Sequence, residues 1–333
     1  MTTSSVGFVR AASSSAVQWG VLGAGWLVQQ ATGAALHNAT GAHLVAVASR
    51  DAQRAAAVGA DRNYGSYVAL VEDPSIEAVY ICLQNDAHLP WIAACIANGK
   101  HVLCEKPLVM TQGEAEMLFA QADAAGVHLV EATWTRWHPR MRRIVELVTS
   151  GAIGEITSYL GTFTFDGVPV GNYRLMAKHG GGALYDVGIY PLHGLFSCLP
   201  QVETVLVDQV CHDLGGVDVD LTIRATLSWG TPSSAMIAAS IAMPESQRLT
   251  IKGTAGIIRV TDDQAWASWR TATTLVIDDH IEEFPQVDAY QVMFEEVSSV
   301  IRGSGGWLLP PRDSLRVAGA VDALLPARGA RLD

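Results

Sequence analysis

The stretch Lys100 to Met110, KHVLCEKPLVM, ends an apolar run on Glu105 and Lys106 and then fixes the chain with Pro107. A strand that only has to reach solvent can stop on any polar residue. A charged pair locked by a proline reads instead as a side chain positioned for chemistry, with a solvated strand end as the plainer alternative. A second cluster lies in GGGALYDVGIYPLHGLF, where three glycines before a helix permit close approach to a ligand. Asp186 and Tyr190 are four apart there, so on a helix they share one face. A tyrosine with a pKa of about 10 is a poor base near neutral pH, but a neighbouring ammonium stabilises the phenolate and lowers that value. The histidines and acids show no metal-ligand spacing, so no metal is expected. No Gly-x-Ser-x-Gly elbow or Cys/His motif supports nucleophilic catalysis.

These residues need elements to hold them. From Val17 the chain alternates short apolar strands (VQWGVL, HLVAVASR, AVYICL, HVLCEKP, VHLVEAT) with helical stretches, including LPWIAACIANG stopped by Gly99 and a capped helix from Thr111 to Gly126. That rhythm predicts parallel βαβ units in a doubly wound, Rossmann-type sheet over 17–133. Beyond it, WHPRMRRIVELVTSGAIG is an amphipathic helix, and EITSYLGTFTF, ETVLVDQVCH, DLTIRATLSW, SAMIAASIAM, QRLTIKGT and GIIRVTD read as strands. They predict a second, α+β domain over 134–305 with a largely antiparallel open sheet. AYQVMFEEVSSVIRG and DSLRVAGAVDALLPA close the chain as helices, and 306–333 is expected to pack back on the first domain. Residues 1–16, rich in Ser, Ala and Thr, read as a flexible arm, because Arg10 interrupts what would be a signal's apolar region.

Composition narrows the functions. A net charge of −11 opposes nucleic acid and anionic membranes as partners, and no apolar run approaches the roughly 18 to 20 residues that span a bilayer. Five cysteines without CxxC pairs fit reduced thiols in a cytoplasm.

Gly23-Ala24-Gly25, with Trp26 and Leu27 opening the following helix, sits between a buried strand and a helix. In that context glycines let the backbone approach a pyrophosphate at a helix amino terminus. Val28 stands in the place of the usual third glycine. At the end of the second strand, ASRDAQR puts Ser49 and Arg50 in the turn, with Arg54 one helical turn later, where an NAD-type site usually carries an acid. Asp51 lies past the turn, in a helix-capping position. The expectation is an NADP-type 2'-phosphate site, with NAD as the other possibility. Arg50 and Arg54 as mere surface residues are the alternative.

The run AVYICLQNDAHLPWIAACIANGKHVLCEKPL resembles a signature of the Gfo/Idh/MocA family, whose pattern is a strand, an Asn-containing turn with a nearby His, a helix and GKHVLxEKP. Gln84 stands where the family often has Pro. The resemblance implies that Lys106 reaches the substrate beside the nicotinamide, that Glu105 holds the cofactor side, and that Pro107 fixes the turn, often through a cis bond. It further implies that Leu83, Asn85 and His88 line the cofactor. Tyr190, where many relatives have His, with His193 where they have Asp, resembles the glucose–fructose oxidoreductase, dihydrodiol dehydrogenase, xylose dehydrogenase and ketosugar reductase branch, and EATWTRWHP resembles the dihydrodiol and xylose dehydrogenases.

Together these readings assign Tyr190 as acid/base, Lys106 as its electrostatic partner and substrate polariser, and Asp186 as a group orienting substrate or lysine. Trp134, Arg136, His138, Arg174 and His193 flank the signatures and are candidate substrate contacts. The leading function is an NADP-dependent oxidoreductase acting on a sugar or other cyclic polyhydroxy compound; a non-catalytic dinucleotide-binding sensor is the rival. An open sheet with apolar residues on both faces predicts a homo-oligomer, a dimer or tetramer.

Overall fold

The computed structural model describes residues 16–230, 233–260, 263–266 and 270–325. The expected N-terminal arm, Ala16 excepted, and the tail after Leu325 lie outside the described residues. Six strands form the first sheet: β1 (Val17–Leu22), β2 (Ala42–Ala48), β3 (Arg62–Tyr64), β4 (Ala78–Ile81), β5 (His101–Glu105) and β6 (Leu129–Ala132). They run parallel in the order β3-β2-β1-β4-β5-β6. The order reverses between β1 and β4, which opens a crevice beyond the carboxyl ends of those strands.

The helices between these strands are α1 (Gly33–Asn38), α2 (Ala52–Val58), α3 (Tyr67–Val71), α4 (His88–Ala97) and α5 (Gln112–Ala125). A π turn, Val28–Thr32, runs directly into α1. The expected cap of α5 is a full capping box: Thr111 Oγ1 accepts from Glu114 N at 3.3 Å and Glu114 Oε2 accepts from Thr111 N at 3.1 Å.

After α6 (Pro139–Thr149) comes an eight-stranded sheet built of β7 (Ile156–Thr164), β8 (Leu206–Asp213), β9 (Thr222–Gly230), β10 (Ser233–Ser240), β11 (Ser246–Gly253), β12 (Ile257–Val260), β13 (Thr273–Ile277) and β14 (His280–Phe284). The helix α7 (Ile189–Cys198) packs on it. The sheet is largely antiparallel, with one parallel pair, β7 with β10, because the β8–β9–β10 meander enters from the far edge and ends in the direction of β7. The β13–β14 hairpin went unread in the sequence. Its signal is the β-branched run TTLVI before Asp278, whose φ of +52° starts the tight turn.

The chain returns to the first sheet with α8 (Ala289–Ile301), ahead of the boundary expected at residue 306. The physical reason is aromatic: Phe294 meets Trp19 and Tyr80 edge-on, with ring centroids 5.4 and 5.2 Å apart. Truncating Phe294 to Ala would remove both contacts and leave a cavity, at a cost of about 3 to 5 kcal/mol. The last helix, α9 (Pro311–Leu324), bridges α5 and α7 through Asp322, which accepts from Gln112 N at 2.8 Å, and Arg316, which donates to Phe196 O at 2.8 Å.

Candidate active site

The glycine loop emerges from β1 at the crevice. Gly23 has a φ of +101°, and a Cβ there would stand 2.3 Å from the Cys82 carbonyl, so strand β4's exit forbids a side chain. A Cβ on Gly25 would meet nothing within 4 Å. Gly25 is therefore not required by packing, and the open space over it fits a phosphate group lying against the loop. Gln29 anchors the loop by donating from Nε2 to the Ala24 carbonyl at 3.1 Å. Trp26 is 74 % exposed at its edge, and Leu27 is half-buried. Leu83, also half-buried, lies across from Gly23.

At the end of β2, Asp51 is the N-cap of α2: its Oδ1 accepts from Arg54 N at 3.0 Å, and its Oδ2 pairs with Arg54 Nε at 3.2 Å. Ser49 Oγ in turn accepts from Asp51 N at 3.1 Å. The acid is thus consumed locally. Arg50 is exposed and makes no ion pair among the described residues, which leaves its guanidinium available to an anion at this turn.

The Lys106–Pro107 peptide bond is cis. Two buried groups hold the turn. Glu131 Oε1 accepts from Leu108 N at 3.1 Å, and His88 places Nδ1 2.8 Å from the Pro107 carbonyl and Nε2 3.2 Å from the Leu83 carbonyl. His88 is fully buried, so the expectation of a cofactor contact is corrected: the imidazole braces the two loops that form the crevice wall. Asn85, 7 % exposed, similarly donates to the Gly180 carbonyl at 2.8 Å and joins the β4 exit to the glycine segment before α7. Glu105 turns its carboxyl into the core, 2.6 Å from the Tyr80 hydroxyl, and burial raises its pKa to about 7.

The segment carrying Asp186 is not the regular α-helix that the spacing suggested. Leu184–Gly188 is a π turn leading into α7. Its start is fixed by Asp220, whose Oδ2 accepts from Leu184 N at 2.8 Å and whose Oδ1 occupies the place of a Cβ on Gly182, 2.2 Å away. Lys106 Nζ donates to the Asp186 main-chain carbonyl at 2.6 Å, stands 3.6 Å from Asp186 Oδ1, and lies 5.0 Å from the centroid of the Tyr190 ring. Arg174 Nε donates to Asp186 Oδ2 at 2.7 Å. One carboxylate therefore sits between two cations, the arrangement expected of a group that orients the lysine.

Electrostatics corrects one expectation. Burial works against the charge of Lys106, but Tyr190, Asp186 and Glu105 around it hold the ammonium charged beyond its ordinary range. Tyr190 is shifted upward, not downward. Burial is the largest cause, and Glu105 and Asp186 add to it, while Lys106 and the Trp134 side chain oppose it without prevailing. The phenol is accordingly a proton donor at neutral pH in this state.

The candidate substrate contacts divide. Arg174 remains one-third exposed beside Asp186 and belongs to the site. Three others do not reach it. Arg136 is buried and paired with Asp313 at 2.9 Å, the pairing that replaces lost water. His138 is buried and caps α6, accepting from Arg140 N at 3.1 Å. His193 is fully buried, with Nε2 3.2 Å from Glu131 Oε2 and 3.1 Å from Thr133 Oγ1. Trp134 is 3 % exposed and packs edge-on to Tyr190 with centroids 6.4 Å apart, so it supports the tyrosine ring rather than facing open space.

Glu131 was missed as a buried support of the site. It ties the turn after Lys106 to His193, one helical turn beyond Tyr190 on α7. Its carboxyl feels burial most, yet His193 and the Leu108 N–H hold it below the ordinary range. A carboxylate inside the buried strand Leu129–Ala132 was the available signal. No group of three or more His, Cys, Asp or Glu side chains that could hold a metal occurs among the described residues. Nor is any described helix long and apolar enough to cross a membrane.

Residues 17–133 match the family described as an oxidoreductase family with an NAD-binding Rossmann fold, GFO_IDH_MocA, and residues 141–259 match the GFO/IDH/MocA C-terminal domain. The D-xylose 1-dehydrogenase (NADP(+)) 2 of Haloferax volcanii is 32 % identical over 291 residues, 84 % of this chain and 87 % of that protein. An uncharacterized oxidoreductase of Rhizobium meliloti is 40 % identical over 180 residues, 53 % of this chain and 54 % of its own length. Among solved structures, KijD10, a 3-ketoreductase from Actinomadura kijaniata in complex with NADP and TDP-benzene, superposes with a TM-score of 0.83 at 28 % identity, covering 93 % of this chain and 97 % of that one.

Proposed function

The chain belongs to the Gfo/Idh/MocA oxidoreductase family, and on that premise we propose that it is an NADP-dependent oxidoreductase acting on a hydroxyl or carbonyl carbon of a sugar or related cyclic polyhydroxy compound. The observation that carries the reading is the Lys106 ammonium held between the Asp186 carbonyl and the Tyr190 ring, at the edge of the crevice where the glycine loop emerges. A sensor has no need of a charged donor poised beside a phenol. The xylose dehydrogenase and the 3-ketoreductase support a sugar-like substrate and NADP.

In this reading Gly23, Gly25 and the helix amino terminus at Trp26 take the pyrophosphate, and Arg50, backed by Arg54 and Ser49, takes the 2'-phosphate. The bound nicotinamide supplies hydride acceptance or donation. Lys106 donates a hydrogen bond to the substrate oxygen, and Tyr190 gives or takes its proton. Asp186 keeps the lysine aimed, and Arg174 closes the same side. The parallel-sheet domain would hold the dinucleotide, and the eight-stranded domain the substrate. Purified protein mixed with aldoses, ketosugars and cyclic diols, followed by the absorbance of reduced nicotinamide, tests this. Absence of turnover across the panel, with NADP still bound, would favour the sensor instead.

The reading extends to assembly and compartment. Leu206 and Val210 on β8, Met236 on β10 and Ile281 on β14 are exposed apolar residues of the second sheet, which supports a homodimer or homotetramer. Light scattering that gives a monomer at micromolar concentration would contradict it. All five cysteines are free, Cys211 exposed among them, which suits a reducing cytoplasm.

A further inference from the structure

We propose that Tyr173 is a substrate-binding residue, whose hydroxyl donates to the oxygen next to the reacting carbon and so favours vicinal diols and α-hydroxy ketones over monohydric substrates. The residue opens the short helical turn Tyr173–Leu175, which lies between β7 and the π turn that carries Asp186. That turn is fixed from three directions. Asn172 Oδ1 accepts from Arg174 N at 3.0 Å, and Gly182 N donates to the Arg174 carbonyl at 2.9 Å. A Cβ on Gly181 would stand 2.8 Å from the Tyr173 carbonyl, so the glycine segment packs directly on the turn. Held there, Tyr173 lies under the Arg174 guanidinium, with Cζ 5.0 Å from the ring centroid. Arg174 Nε donates to Asp186 Oδ2 at 2.7 Å, and Asp186 Oδ1 stands 3.6 Å from Lys106 Nζ. A short chain of contacts therefore joins the phenol to the polarising lysine.

The hydroxyl sets this tyrosine apart. Those of Tyr80, Tyr159 and Tyr185 donate to Glu105, the Pro191 carbonyl and the Met110 carbonyl at 2.6, 2.8 and 2.7 Å. Tyr173 is half-buried, and its hydroxyl makes no hydrogen bond among the described residues. Burial raises its pKa most; Asp186 and Cys82 add to the rise, whereas Arg174 and Lys106 oppose it. Cys82 and Lys106 follow β4 and β5 in the first domain, and Arg174 and Asp186 belong to the second, so the phenol lies at the crevice between them. It stays protonated at neutral pH, which makes it a donor that no protein group uses. With Lys106 and Tyr190 engaged on the reacting oxygen, a phenol on the Arg174 side of the lysine meets the next oxygen of the substrate.

The inference rests on the reading of Lys106 and Tyr190 as the pair that holds the reacting oxygen, and its first test needs no turnover. N-acetylimidazole acetylates the phenolic oxygen itself, and the rate at Tyr173 is read by peptide mass spectrometry on wild-type protein saturated with NADP. Saturating vicinal trans-cyclohexanediol should slow that rate about tenfold, whereas cyclohexanol at the same concentration should leave it unaltered. The second test is kinetic. Tyr173→Phe keeps the ring under Arg174 and removes only the hydroxyl, so the ratio of kcat/KM for the diol to that for cyclohexanol should fall about tenfold. A tyrosine that merely supported Arg174 would leave the ratio untouched. No protection by the diol, equal protection by cyclohexanol, or a wild-type ratio in Tyr173→Phe overturns the proposal. Protection by the diol without turnover of any alcohol would support the site at Tyr173 and count against the oxidoreductase reading.

Discussion

The Lys106 ammonium nitrogen lies 5.0 Å from the centroid of the Tyr190 ring. Tyr190→Phe keeps that ring and its packing on Trp134 and Phe163 but removes the phenol. Turnover should therefore fall about 10²- to 10⁴-fold with the fold and NADP binding intact. Lys106→Ala should lose at least as much, and the double variant little more, because the two act as one unit. Steady-state kinetics with circular dichroism as the fold check decides it. Near-full turnover of Tyr190→Phe would move the acid/base role elsewhere, although not to His193, which is fully buried.

The raised pKa of Tyr190 gives a direction to the pH dependence. Carbonyl reduction needs the phenol and should be flat through neutral pH, while alcohol oxidation needs the phenolate and should accelerate as pH rises. Oxidation that is fastest on the acid side would contradict the assignment.

Cofactor choice should follow Arg50. Arg50→Ala is expected to weaken NADP binding about tenfold or more while changing NAD binding little, since a guanidinium–phosphate contact is charge-assisted. Fluorescence titration with both dinucleotides measures this, and a wild type that prefers NAD would sink it.

The two loop glycines should separate. Gly23→Ala drives a methyl into the Cys82 carbonyl and strains a left-handed residue, so it should lower the melting temperature. Gly25→Ala meets open space, so the melting temperature should hold while NADP affinity drops. Equal thermal losses in both would show that Gly25 serves packing.

Asp220 should leave a mark on stability. Burial raises its pKa from 3.8 to about 6 despite the backbone N–H groups it accepts from. Because the folded value exceeds the unfolded one, this contribution is fully present below the unfolded pKa and is lost as pH rises to about 6. The size is on the order of 3 kcal/mol. Asp220→Asn keeps an acceptor for Leu184 and cannot ionise. Its stability relative to wild type should therefore rise across that window and then level off, and parallel melting curves from pH 4 to 7 would refute the assignment.

Much of this protein was legible in its sequence because the physics there is local. Short apolar runs marked the first sheet and alternation marked the second up to β12, Asp51 and Thr111 declared themselves as caps, and the contiguous residues Glu105, Lys106 and Pro107 announced a built turn. Other decisions depended on what arrives from far along the chain. Arg136, His138 and His193 look like ligand-binding side chains in one dimension, and only the approach of Asp313, the start of α6 and Glu131 commits them to structure. The direction of the Tyr190 shift belongs to the same class, since it is set by how completely the phenol is buried beside Lys106, a balance of desolvation against charge that exists only in three dimensions.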